Sequence, residues 1–160
     1  MSEVVAGRYL EILKSKNADA RMFSLKDLPA DFITTDMYGK RSEAFETIIN
    51  EIIIPTDKFV FVIPEYNGSY PGILKTFFDA AHPKFFRDKK AGIIGVSDGH
   101  AGNLRGQEHL TGVLNYMRML VHYSQPKLSD IDHAINDQRQ ITDERTLRLL
   151  NDHADFMIKF

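Results

Sequence analysis

No cysteine occurs anywhere in the chain. Disulfides, thiolate metal sites, cysteine nucleophiles and redox dithiols are therefore excluded. Any electron transfer has to be carried by a bound cofactor. An excess of one charge is lacking too. The 20 basic and 22 acidic residues leave a formal net charge of −2, which provides no electrostatic footprint for nucleic acid. No apolar run approaches the length of a membrane span. No signal-peptide pattern follows Met1, and with the missing cysteines this leads to the expectation of a cytoplasmic protein. His82, His100, His109, His122, His133 and His153 include no His-x-x-x-His pair, so they offer no shared helical face for a metal. There is no Gly-x-Ser-x-Gly elbow and no Gly-x-Gly-x-x-Gly phosphate loop.

What is present is an ordinary globular composition, 43% hydrophobic and 26% charged, over 160 residues. That length reads as one domain, residues 1–160, able to bury roughly 70% of its unfolded surface. The stretch 59–81, FVFVIPEYNGSYPGILKTFFDAA, organises the rest. Residues 59–63 are five apolar residues in a row, as in a strand buried on both faces of a parallel sheet. Pro64 stops the run. Glu65, Tyr66, Asn67, Gly68 and Ser69 form a polar loop, and Pro71 opens a helix with a large apolar face. A loop after such a strand sits where open α/β sheets bind ligands. Tyr66 offers a ring, Asn67 offers donors and an acceptor, and Gly68 allows close approach to main-chain amides. A plain surface turn remains the alternative on spacing alone.

The other elements follow from periodicity and punctuation. A helix is expected from Ser2 to about Ser15, then a short edge strand over residues 20–25, then loop over 26–40. A second helix starts at Ser42 and stops before Pro55. Residues 91–96 form the next buried strand and end in a second loop carrying Ser97, Asp98, Gly99, Gly102 and Asn103. Within it His100 either borders a ligand or is simply exposed. A helix with Leu110, Leu114 and Met117 on its core face follows. Residues 120–124 are expected to be the last strand and 126–140 irregular. Thr142 is expected to cap a final helix.

The run Pro-Glu-Tyr-Asn-Gly-Ser-x-Pro-Gly-x-Leu-Lys, residues 64–75, resembles the signature of the NADPH-dependent FMN reductase family. The resemblance implies a flavodoxin-like fold, an α/β three-layer sandwich with a parallel sheet. It also implies FMN as cofactor and NADPH or NADH as co-substrate in a ping-pong reaction. Hydride passes to the flavin, and electrons then pass to a small-molecule acceptor such as a quinone or free flavin. The loop at Pro64, Glu65, Tyr66, Asn67, Gly68 and Ser69 would hold the isoalloxazine ring. Ser97, Asp98, Gly99, Gly102 and Asn103 would line it. A homodimer or homotetramer is implied as well.

One part of the pattern is absent. The family fold opens on a strand that ends in a Gly-Ser-x-Arg-x-x-Ser type loop for the FMN phosphate. This sequence opens on what reads as the first helix, with only Ser2 to match the tail of that loop. Two explanations stand: an N-terminally shortened form, or a natural variant that closes its sheet differently. The second leaves room for a binding or scaffold protein that holds FMN weakly or not at all.

Overall fold

The structure is a computed structural model that describes residues 1–160 apart from the Tyr38 side chain. The chain runs through α1 (Ser2–Ser15), α2 (Phe32–Thr35), α3 (Glu43–Ile48), β1 (Lys58–Pro64), α4 (Gly72–Ala80), β2 (Lys90–Val96), α5 (Leu104–Tyr116), β3 (Leu120–Val121), β4 (Lys127–Leu128), α6 (Ile131–Ala134) and α7 (Glu144–Lys159). A π-helical segment, Ile49–Ile53, prolongs α3. β2 lies in the middle, with β1 parallel on one side and β3 and β4 parallel on the other.

Side chains alternate across the sheet, as a pleated strand requires. Phe59, Phe61, Ile63, Ala91 and Ile93 join a core with α3, α4 and α5. Val60, Val62, Ile94 and Val96 join a second core with α1 and α7. Helices therefore cover both faces, and the three-layer α/β sandwich with a parallel sheet is the fold observed.

Four expectations are corrected. Residues 20–25 join no ladder, and Leu25–Asp27 is a 3-10 turn. The composition there suits a strand, but a strand also needs a paired neighbour, and the position between this segment and β1 holds none. The last strand comes in two pieces. β3 pairs Leu120 and Val121 with Lys90 and Ala91, and β4 pairs Lys127 and Leu128 with Gly95 and Val96. Between them, residues 122–126 face only residues 92–94, so the strand bulges. Pro126 has no N–H to offer a ladder, but its carbonyl accepts from Gly95 N at 2.9 Å. The last helix is capped by Asp143, whose carboxylate accepts from Thr146 N at 2.7 Å, rather than by Thr142. The region 26–40 contains short helical turns instead of plain loop.

On the α1–α7 face, His153 is fully buried. Its Nδ1 lies 2.8 Å from Tyr9 Oη. Burial, with a smaller contribution from His122, lowers its pKa from 6.5 to about 4. The folded state therefore resists a proton that the unfolded chain accepts near pH 6.5. The associated stability is complete above that pH and is lost as pH falls towards 4, about 3 kcal/mol over the whole window. Urea denaturation between neutral pH and pH 4.5 is expected to show this slope, and His153→Gln is expected to flatten it.

Candidate active site

The loop after β1 is a tight turn dictated by two residues. Tyr66 N donates to Ser69 O at 2.8 Å, and Ser69 N donates back to Tyr66 O at 3.1 Å. Asn67 and Gly68 between them have φ of 51° and 77°. Positive φ at both central positions defines a type I′ turn, and Asn-Gly is the pair that adopts it most readily. The turn lifts its own centre off the sheet. Tyr66 is 61% exposed. Among the described residues, the N–H groups of Asn67 and Gly68 find no acceptor.

Two struts tie this turn to the second loop. Glu65 N donates to Val96 O at 3.0 Å, and its carboxylate accepts from Ser97 Oγ at 2.8 Å. Ser97 Oγ in turn accepts from Gly99 N at 3.0 Å. Asn103 is buried, has φ 63°, and its side-chain amide donates to Ile63 O at 3.0 Å. Gly102 is buried beneath the loop, while Asp98 and Gly99 are exposed at its tip. Both loops thus stand at the carboxyl ends of adjacent parallel strands, and Pro64 marks where β1 ends. The sequence-predicted residues come together there, with Glu65, Ser97 and Asn103 acting as ties and Tyr66, Asn67, Asp98 and Gly99 facing outward.

Two contacts were not anticipated. His109 Nδ1 lies 2.9 Å from Ser69 Oγ. Arg105 Nη1 comes within 3.7 Å of where a Cβ on Gly68 would be. Both residues belong to α5 and stand four apart, so one helix face brings them to the turn. For His109 that spacing is the signal the sequence offers. His100 is fully exposed, 3.7 Å from Asp130 Oδ1.

Against this geometry the comparisons with known proteins are informative. A family model described as NADPH-dependent FMN reductase matches residues 1–130. The chain belongs to the NADPH-dependent FMN reductase family. It is 33% identical over 142 residues to a 2-hydroxy-1,4-benzoquinone reductase of Burkholderia sp, covering 81% of this chain and 77% of that protein. It is 28% identical over 134 residues to an FMN-dependent NADPH-azoreductase of Staphylococcus aureus, covering 81% and 71%. The flavoenzyme NAD(P)H:(acceptor) oxidoreductase FerB from Paracoccus denitrificans shares the fold, with a TM-score of 0.79 at 24% identity over 97% of this chain and 86% of that one.

As a member of the FMN reductase family the protein is an oxidoreductase, with FMN as cofactor and NAD(P)H as electron source. The residues present fit the ring of that cofactor. Two free amides and an exposed aromatic face project from a turn backed by a second loop, which is the donor set a flat heteroaromatic ring needs. Ser2 opens α1, and Glu3 in the same first turn is paired with Lys26 at 2.8 Å. Among the described residues, no helix is long and apolar enough to cross a membrane.

Proposed function

We propose that the protein passes electrons from NAD(P)H through FMN held at residues 64–69 and 97–103 to a small organic acceptor of the quinone class. The observation carrying this reading is the type I′ turn, with its free Asn67 and Gly68 amides, tied to the second loop. In the proposed arrangement those amides bond the polar edge of the ring, and Tyr66 covers part of its face. Ser69, Ser97, Asp98 and Gly99 border the ring. Gly102 keeps the second loop close to β4. Pro64, Glu65 and Asn103 act one step back by fixing the separation of the two loops. Bound FMN supplies the redox chemistry, taking up a hydride equivalent and giving up two electrons, so no protein acid, base or nucleophile is required. The chain's part is to bind, orient and leave one face of the site open to acceptors in turn. The reading includes a cytoplasmic homodimer or homotetramer.

A scaffold reading is motivated by Glu3, a carboxylate in the first turn of α1, where an anionic group of a ligand would be repelled. One experiment separates the two. Purified protein is titrated with FMN while flavin fluorescence is followed, and NADPH consumption is then measured with and without a benzoquinone. Saturable quenching together with quinone-dependent NADPH oxidation is the expected result. A protein that leaves flavin fluorescence unchanged under a large molar excess of FMN would be a scaffold instead.

A further inference from the structure

The Asn67-Gly68 turn is closed by a single rung. Tyr66 and Ser69 form an isolated bridge, with no ladder continuing beyond it. Glu65 N is already bonded to Val96 O, and Tyr70 leads away into α4. A two-residue turn of this type normally closes a hairpin whose strands hold it shut, and a short hairpin alone is marginal in water. No such strands flank this turn, so it depends on side chains that reach it from elsewhere.

Those ties exist at both ends. At the start, the Glu65 carboxylate accepts from Ser97 Oγ. At the finish, Ser69 Oγ lies 2.9 Å from His109 Nδ1. The residue before α5 holds the same stretch at its root, since the Asn103 side-chain amide donates to Ile63 O at 3.0 Å. Asn103 and His109 are six positions apart, and so are Ile63 and Ser69. Six residues of helix span about 9 Å, whereas six residues of extended chain reach about 20 Å. α5 therefore acts as a splint of fixed length. With both its ends tied, the stretch from Ile63 to Ser69 has to double back, and the Asn-Gly pair is where it does so.

His109 has no competing task. Its side chain is exposed, and among the described residues its bond to Ser69 is the only one it makes. Lys75 lines the same groove but is paired with Asp79 at 2.7 Å. We propose that His109 is a positioning residue for the flavin-binding turn: its Nδ1 fixes Ser69, and through the Tyr66–Ser69 bridge it keeps the Asn67 and Gly68 amides aligned before the ring arrives. The proposal rests on the function proposed above, which assigns those amides to FMN. The imidazole acts through Ser69 and needs no contact with flavin or acceptor. A turn that is already closed loses little further freedom on binding, so affinity rises. One hydrogen bond of ordinary net strength corresponds to about fivefold in such an equilibrium.

Three substitutions test this. His109→Leu removes the bond and keeps the bulk. His109→Asn keeps the bond, because its amide places a polar atom where Nδ1 stands. Ser69→Ala removes the partner. Amide hydrogen exchange is measured first, on the flavin-free protein. Exchange at Tyr66 and Ser69 is expected to be about fivefold faster in His109→Leu than in the parent, and close to the parent in His109→Asn. Flavin quenching is then expected to show FMN bound about fivefold more weakly by His109→Leu and within about twofold of the parent by His109→Asn, with the urea midpoint unchanged in both. Adding His109→Leu to Ser69→Ala is expected to weaken FMN no further, since both remove one bond. Parental exchange at Tyr66 and Ser69 in His109→Leu would overturn the proposal. So would an asparagine variant as weak as the leucine one, or losses that add in the double variant. A parent protein that binds no FMN would instead defeat the function proposed above, and the exchange rates would still decide whether His109 holds the turn.

Discussion

Gly95→Ala is expected to destabilise the protein by about 3 kcal/mol or more, and to weaken FMN binding with it. Gly95 lies near the end of the central strand, between Ile63 of β1 and Lys127 of β4. A Cβ there would overlap the carbonyl oxygen of Gly102 and stand 2.9 Å from Gln107 Nε2. Neither neighbour has room to retreat. Gly102 has φ 55°, and a Cβ on it would itself lie 2.9 Å from the main-chain carbon of Lys127. Gln107 is buried and donates to Pro126 O at 2.7 Å, inside the bulge that joins β3 to β4. Strand, loop, helix and bulge thus meet at one atom's distance. Relief can come only by moving the second loop, which carries Ser97 and Gly99. Urea denaturation of the variant beside the parent measures the stability, and flavin quenching measures the binding. A variant as stable as the parent would show that the loop gives way more easily than this packing implies.

What the sequence revealed and what it hid divide along a physical line. The strand at residues 59–63, the Asn67-Gly68 turn and the helix after Pro71 depend on neighbours a few positions away, so local pattern was enough to find them. The same holds for the buried strand ending at Val96 and its loop. The segment 20–25 was misread because its side chains suit a strand while its pairing depends on what lies beside it, information that composition does not carry. The break in the last strand was hidden for a similar reason. It follows from Gln107 and Gly95 both reaching the Pro126 carbonyl, contacts 19 and 31 positions apart. At the site, the residue types were legible but their division of labour was not. Asn103 looks like a loop residue available to a ligand, yet its amide is spent on Ile63 O, 40 positions away. Glu65 looks like a free charge, yet it accepts from Ser97.

Replacing Gly68 with valine is expected to weaken FMN binding by about tenfold or more, while lowering fold stability by only about 1–2 kcal/mol. The separation of the two effects is the informative part. Crowding is not the cause, since a Cβ at this position meets only Arg105 Nη1 at 3.7 Å, an ordinary contact. The backbone is the cause. Gly68 has φ 77°, a region that a β-branched residue occupies only under strain. Relaxing that strain breaks the reciprocal Tyr66–Ser69 bonds and turns the Asn67 and Gly68 amides out of line. It also re-aims the Tyr66 ring. Because the turn protrudes from the sheet, the core on either side of β1 loses little. Gly68→Asn is the matched control, since asparagine enters the left-handed region far more readily than valine. It is expected to keep most of the flavin affinity. Should valine and asparagine weaken FMN equally, the side chain at position 68 would be obstructing the ring directly, and the bare amides would not be what the turn contributes. Should neither weaken it, the flavin would lie elsewhere on the protein.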